Sequence, residues 1–465
     1  QSYKLVQLVK NPTRENNILD KIFTNMTSFY NVANILPPLG ASDHSAVVCY
    51  PNIQSSYKRP EKIITKRRSN DQNSKNLFVH SLRNLSWKSL YDAQTCDEKF
   101  NIFDEAIRTN LDLYLPIVEF TQMSNDKPWV TDNFRNKIKL RQQAFQSGNT
   151  TEYNRLRNHI NRTSKCLRSK FYKESVNDLK DSDPSAWWRK TKILAGLKTK
   201  DNLSYLSSTY DGNTKELAND INISFQSVTN NLKPINKALI PPKSDIPDEY
   251  LLTVNEVENE MSKIKLNKSC GPDDVPNWII RDLAPILSGP VTSVFNASLI
   301  EGHVPELWKC ANVCPLPKIS PAQCIETDLR PISLTSVLSK ILESFIAKWL
   351  WNLVKDKIFK NQFGGIKRSS TTHALVRMLH DWQTAVHESK SVRILLLDFK
   401  KAFDLVDHTI LLKKLISFNI PDFLIRWLGS FLSDHSIRVK INGEVSDWLH
   451  INGSVPQGSR LGPLL

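Results

Sequence analysis

The chain has 465 residues, of which 40% are hydrophobic and 23% charged, and its formal net charge is +15. This composition excludes an intrinsically disordered chain and fits roughly two to four globular domains, while the cationic surplus points to a polyanionic partner whose counterions it would displace. No apolar run nears the ~18 residues that span a bilayer, and no signal peptide is recognised.

Residues 1 to about 50 predict strands at Tyr3–Val9 and Ala46–Tyr50 with polar turns between them, and hold Pro-Thr-Arg at 12–14, Ile-Leu-Asp at 18–20 and Ser-Asp-His at 42–44. Residues 51–84 are rich in Ser, Asn, Lys and Gln and read as a linker. From residue 85 to about Leu197, periodic apolar positions with little Gly or Pro predict helices. Within that stretch Lys127–Lys200 carries 18 Lys and Arg against 6 Asp and Glu, interleaved with Trp129, Phe145, Tyr153, Phe171, Tyr172, Trp187 and Trp188. Such a run is either a solvated helical face or a surface that holds phosphates and stacks on bases. A second loose segment ends in the prolines of 234–250, which preclude a continuous helix, so 85–251 reads as a basic helical connector with a loose end.

From Leu252 onward apolar residues are denser, and helices alternate with short strands. Lys268–Pro276 (KSCGPDDVP) is a Gly-Pro turn between helices, and Ala311–Lys318 (ANVCPLPK) is a strand delivering Lys318. Leu329–Leu334 (LRPISL) fixes Arg330 ahead of a proline; Asn361–Thr372 (NQFGGIKRSSTT) is a Gly-Gly turn with cations and hydroxyls. Ile437–Val439 and Trp448–Ile451 predict a hairpin around Asn442-Gly443, followed by Val455–Gly458 (VPQG). The seven cysteines (Cys49, Cys96, Cys166, Cys270, Cys310, Cys314 and Cys324) are scattered and fit a reducing compartment; Cys310, Cys314 and Cys324 lack a fourth Cys or His for a compact zinc spacing and are expected to be buried thiols.

Val392–His408 reads VRILLLDFKKAFDLVDH. The aliphatic run Ile394–Leu397 predicts a strand buried on both faces and ending at Asp398. From Ala402 the positions Phe403, Val406, Ile410, Leu411 and Leu415 predict an amphipathic helix. The residues alone leave Asp398 as either an acidic helix cap or a ligand for metal-bound phosphoryl chemistry.

In series, GPD at 271–273, LRPISL, NQFG, LLLDFKKAFD and VPQG resemble the blocks of reverse transcriptases of non-LTR, LINE-like retrotransposons, especially the jockey-like group, over about 252–465. The 12–14, 18–20 and 42–44 motifs are similar to the last blocks of the apurinic-type endonuclease that precedes the polymerase in these polyproteins. The resemblance implies an α+β fold: an incomplete right-hand polymerase, with fingers from about Leu252 to Lys390 and a partial palm from Ser391, preceded by the basic helical connector and a β-rich endonuclease remnant over 1–50. It implies Asp398 as a catalytic ligand of two Mg²⁺ ions, with the Phe399 carbonyl on one of them, and Phe403 as the ring that excludes a 2′-hydroxyl or simply packs in the core. Arg330 and Lys318 would hold the nucleotide triphosphate, and Gln457 and Gly458 would lie against the nucleotide and template. His44 would act at a scissile phosphate, oriented by Asp20, with Asp43 at the metal site. The implied partners are template RNA, a target DNA primer and dNTPs, with no membrane, and the implied location of the whole element is the nucleus.

Departures from the pattern are Asp274, where the family usually has glycine, and Gly365, where an aromatic is usual. The family's Ala-Asp-Asp block and the early Asn and Glu blocks of the nuclease do not occur in the sequence. Since Mg²⁺ keeps its waters unless several anionic oxygens compete, the polypeptide is expected to be inactive in both synthesis and cleavage. A non-catalytic RNA- or DNA-binding protein using the 127–200 segment is the alternative; a maturase or telomerase-like polymerase would not carry Ser-Asp-His upstream.

Overall fold

The computed structural model describes residues 4–39, 42–52, 62–123, 127, 129–176, 187–188, 191–192, 203–266 and 268–465. They form two units, Gln1–Lys66 with Glu119–Lys200, and Arg67–Val118 with Asp201–Leu465.

In the second unit, hydrophobic periodicity builds a helical core. The Asp422–Leu432 helix buries Phe423, Leu424, Trp427, Leu428 and Phe431, a stripe at helical spacing. The Ala284–Glu301 helix stops at Gly302, whose φ of +59° suits a residue without Cβ. Trp308 sits edge-on to Phe100 at 5.3 Å and to Phe295 at 5.8 Å between ring centroids. The Cys96–Tyr114 helix begins with a Thr95/Glu98 capping box, and the Cys96 amide donates to Glu301 Oε1 at 2.7 Å.

Beside this core lies a mixed sheet. The His435–Ile441 strand pairs in parallel with Cys310–Pro317 and antiparallel with Glu444–Val445 and Leu449–Ile451; Cys310–Pro317 in turn pairs antiparallel with Leu329–Leu334. The expected hairpin is present, with Asn442 and Gly443 at φ +50° and +92°. The Thr214–Ser227 helix covers the sheet through Leu217, Ala218 and Ile221, packed with Ala311, Val313, Ile437 and Val439. His435 is buried with Nε2 2.5 Å from the Phe431 carbonyl, and burial pushes its pKa down to about 4, so the ring is neutral at physiological pH.

Four expectations change. The supposed linker over 51–84 contains the Lys62–Arg68 strand and the Gln72–Arg83 helix, capped by Asp71 and anchored by buried Phe78 and Leu82 one turn apart; a polar composition hid two residues at i and i+4 that suffice for a packed face. The second loose segment likewise contains the Thr214–Ser227 helix, started by an Asn213/Glu216 capping box. Residues 391–399 are irregular rather than a buried strand: Leu395, Leu396 and Leu397 are 81%, 82% and 85% exposed. An aliphatic run is held as a strand only when neighbours satisfy its backbone, and no described strand pairs with it. The helix expected from Ala402 begins at His408, behind turns over 400–405, because the Asp407 side chain accepts the Ile410 amide at 2.9 Å and caps it there.

In the first unit the predicted strands are shorter. Val6–Gln7 pairs with Phe23–Thr24 and Asn34–Leu36 with Ala46–Val48, around a small core of Leu8, Val9 and Ala33. The basic region is a helical hairpin, Asp132–Gln146 and Thr150–Val176, turning at Gly148 with φ +73°; residues 177–186, 189–190 and 193–202 of that region lie outside the described ones. All seven cysteines are free thiols, but Cys310 and Cys324 are only half-buried and Cys314 is exposed, against the expectation of buried thiols. Among the described residues no helix is long and apolar enough to cross a membrane.

Candidate functional site

Three segments far apart in sequence meet at the edge strand Leu329–Leu334. The Ser333 amide donates to the Gln457 carbonyl at 2.8 Å, and the Val455 and Ser454 amides donate to the Phe403 and Val406 carbonyls at 3.0 and 2.9 Å. The Gln457 side chain donates to Asp404 Oδ1 at 3.0 Å. Gly458, at φ +126°, lies so close to the strand that a Cβ would stand 2.6 Å from the Ser333 carbonyl oxygen. VPQG is thereby clamped between LRPISL and the Phe403–Val406 turn.

Asp404 lines this junction. Burial pushes its carboxyl above the usual range, against the pull of the Gln457 hydrogen bond and of the Lys401 and Lys318 charges. Lys318 follows the Cys310–Pro317 strand as expected; its amide donates to the Asp328 carbonyl and its ammonium to the Thr327 carbonyl, both at 2.7 Å. Arg330 is exposed opposite Leu316 in the ladder. Phe403 is partly exposed.

The strand runs between two cavities, and Ser333 borders both. Pro331 and Ser333 face Asp404 and Gln457. Ile332 and Leu334 border a cleft of ≈ 590 Å³ that also takes Lys263, Lys265, Lys268, Lys340, Gly458 and Arg460. Strand alternation puts Arg330 on the face of Ile332 and Leu334. Glu260 is in this cleft, paired to Lys263 at 2.6 Å. Lys340 is held below its usual pKa, first by burial and also by the Arg460 charge. Beneath it Glu343 is fully buried, accepting the Arg460 amide at 2.6 Å and the Ser339 hydroxyl at 3.0 Å.

The Gly-Pro-Asp turn abuts the same region. A Cβ on Gly271 would meet the Ser336 amide nitrogen at 2.6 Å, and buried Asp273 accepts the Ser336 hydroxyl at 2.6 Å. Asp274, where the resemblance calls for glycine, has φ +51°, a conformation glycine adopts at lower cost. Asp273, Asp404, Ser333, Lys340, Glu343 and Arg460 were not singled out from the sequence. Asp404, Asp273 and Ser333 each had a signal, as members of the LLLDFKKAFD, GPD and LRPISL blocks.

Asp398 and Phe399 stand apart from this junction, exposed on the irregular 391–399 segment. Among the described residues no group of three His, Cys, Asp or Glu side chains could hold a metal. For the pair of Mg²⁺ ions expected in the complete polymerase site, Asp398 would supply one carboxylate, and a lone exposed carboxylate offers too few anionic oxygens to hold them by itself.

In the first unit the three short motifs converge. His44 Nδ1 is 2.8 Å from Asp20 Oδ2. Buried Thr13 accepts the Leu19 and Asp20 amides at 3.0 Å each, and Asp43 pairs with Arg14 at 2.8 Å. Hydrogen bonds from His44 first, then Thr13, hold the Asp20 carboxyl below its usual pKa. This contact fixes the proton of a neutral imidazole on Nδ1 and leaves Nε2 as acceptor. In Asp20→Ala that preference should be lost: ¹⁵N–¹H long-range spectra of His44 are expected to move toward the Nε2-protonated form, and an unchanged tautomer would contradict the contact.

Residues 316–465 match the family profile described as "Reverse transcriptase (RNA-dependent DNA polymerase)". LRPISL, the Phe403–Val406 turn and VPQG all lie within that match, so this part of the chain is similar to reverse transcriptases.

Among curated proteins, the chain is 32% identical over 216 residues to the RNA-directed DNA polymerase from mobile element jockey of Drosophila melanogaster, covering 46% of this chain and 24% of that protein. The jockey polymerase of Drosophila funebris is 31% identical over 216 residues, again 46% and 24%. The Retrovirus-related Pol polyprotein from type-1 retrotransposable element R1 of Bradysia coprophila is 22% identical over 458 residues, covering 93% of this chain and 44% of that protein. The matched part spans about a quarter of the jockey polymerases.

Proposed function

We propose that residues 252–465 are the nucleotide- and template-binding part of an RNA-directed DNA polymerase of a non-LTR retrotransposon, its substrates being dNTPs, template RNA and a DNA primer. The observation that carries this reading is the junction itself: LRPISL, the FKKAFD turn and VPQG, separated by many tens of residues, share backbone hydrogen bonds at one strand edge.

In this reading Arg330 and Lys318 take triphosphate oxygens, for which a guanidinium offers a planar, two-pronged donor. Gln457, its orientation fixed by Asp404, and Gly458, with no side chain in the way, present a flat surface to the base pair. Phe403 flanks the sugar. The cleft lined by Lys263, Lys265, Lys268, Lys340 and Arg460, on the face of the strand that also carries Arg330, takes template phosphates. Asp398 is assigned to metal binding by resemblance only, and no chemical step is drawn through a metal here.

The first unit is read in the same way as the end of an apurinic-type endonuclease. Support comes from the Asp20–His44 contact, which suits a histidine acting on a phosphate.

Labelled dNTP binding in the presence of an RNA template and DNA primer tests the polymerase reading. Arg330→Ala is expected to weaken binding about tenfold, the size of one lost charge-assisted contact, and Lys318→Ala by less. Equal affinity of Arg330→Ala and the parent chain would overturn the assignment.

A further inference from the structure

His408 has no part in the sites described above, yet it lies against the turn that carries VPQG. It opens the His408–Ser417 helix and is 2% exposed. Its Nε2 stands 2.6 Å from the carbonyl oxygen of Ser454, 46 residues further along the chain. A carbonyl only accepts, so the ring donates and carries a proton on Nε2. Burial, against the Ser454 bond and the Asp407 charge, holds its pKa below the usual value, so the ring is neutral at physiological pH.

Ser454 is where such a bond matters. Its φ is +70°, a left-handed conformation that a residue with a Cβ keeps only where its surroundings over-determine it. Both of its backbone groups are taken: the amide donates to the Val406 carbonyl at 2.9 Å and the carbonyl accepts from His408. The Val455 amide then donates to the Phe403 carbonyl at 3.0 Å. Two residues beyond is Gln457, its side chain on Asp404 at 3.0 Å and its carbonyl on the Ser333 amide at 2.8 Å. The short stretch from Phe403 to His408 thus fixes the path of the chain from Ser454 to Gln457. That stretch is itself anchored, since Asp407 accepts the Ile410 amide at 2.9 Å and the Thr409 hydroxyl accepts the Asn236 amide at 3.1 Å. Removing the imidazole would take from a buried carbonyl the donor it has and leave the left-handed turn with one tie in place of two.

We propose that His408 is a positioning residue of the nucleotide site: its Nε2–H bond to Ser454 sets the turn that aims Gln457, and so governs how well the site separates a template-matched nucleotide from a mismatched one. This inference rests on the polymerase reading given above. His408 touches neither nucleotide nor template in it and acts only through Gln457.

The test is labelled dNTP binding to the full chain on an RNA template with a DNA primer, using the dNTP that matches the templating base and one that does not. His408→Leu, of similar bulk but without a donor, is expected to bind the matched dNTP about tenfold more weakly and the mismatched one within about threefold of the parent. Its selectivity then falls toward that of Gln457→Ala. His408→Gln, which again offers a nitrogen donor, should recover most of the loss. Added to Gln457→Ala, His408→Leu should cost less than about twofold more, because two residues acting through one contact are not additive. Read without nucleotide, hydrogen exchange at the Ser333 amide should quicken at least about fivefold in His408→Leu and not in His408→Gln. A ring that only fills the core would weaken both dNTPs by the same factor and add its full effect to Gln457→Ala; either result overturns the proposal, as does an unchanged His408→Leu. Should the leucine variant not fold, His408→Phe keeps a flat ring without a donor and carries the same expectations. Gln457→Ala separates the two readings. If it binds the matched dNTP as the parent does, the polymerase reading falls and this inference with it, whereas a loss in Gln457→Ala with none in His408→Leu overturns the inference alone.

Discussion

Gly458→Ala is expected to cost about 3 kcal/mol of stability and to abolish nucleotide binding. Its φ of +126° is strained for any residue with a Cβ, which alone costs about 1–3 kcal/mol. The added methyl would also stand 2.6 Å from the Ser333 carbonyl oxygen, an atom held by the sheet and unable to yield cheaply. Separation would break the Ser333–Gln457 hydrogen bond, worth about 1 kcal/mol. Gly443→Ala is the comparison: its φ is +92° but nothing lies within 4 Å, so only the conformational cost, about 1 kcal/mol, should appear. Urea midpoints of the two variants decide. Equal losses would show that the close approach at Gly458 contributes nothing.

Glu343→Ala is the second large effect, about 3 kcal/mol. The carboxylate is fully buried, and its removal strands the Arg460 and Leu461 amides and the Ser339 hydroxyl. Glu343→Gln keeps an oxygen for the amides and should cost little. The pair also predicts a pH dependence. Burial raises the folded-state pKa of Glu343 above its ordinary 4.5, so the folded chain holds a proton that the unfolded chain has released. This group therefore penalises the fold at pH 7, and the penalty is relieved as pH falls through the raised pKa toward 4.5. Stability of the parent relative to Glu343→Gln should rise over that window; a constant difference from pH 7 to pH 4.5 would mean the carboxyl is not desolvated as described.

What the sequence made legible was local. The Asn442-Gly443 turn and the strand delivering Lys318 follow from turn chemistry and alternation that need no distant partner, whereas LRPISL was read only as an arginine fixed ahead of a proline and proves to be a strand. The helix over 72–83 was missed because only Phe78 and Leu82 anchor it amid polar residues, and their burial depends on helices that come later in the chain. The apolar run at 394–397 erred in the opposite direction, since periodicity reports what a segment can do and not whether a partner strand exists. At the site, VPQG and LRPISL were visible as separate motifs. Their union through Ser333 and Gln457, and the role of Asp404 in orienting that glutamine, depend on tertiary contacts that no spacing encodes. Lys340 and Glu343, three residues apart on the Val337–Val354 helix, belong to no motif, and it is burial that gives them opposite pKa shifts.

The most direct test of the central claim is photolabelling of the full chain with an azido-dATP on an RNA template with a DNA primer, followed by mass spectrometry. The account predicts adducts on Lys318 to Leu334, on Phe403 or Asp404 and on Gln457 to Arg460, competed away by unlabelled dATP. Competable label confined to the 132–176 hairpin or to the first unit, with none on those three segments, would contradict it.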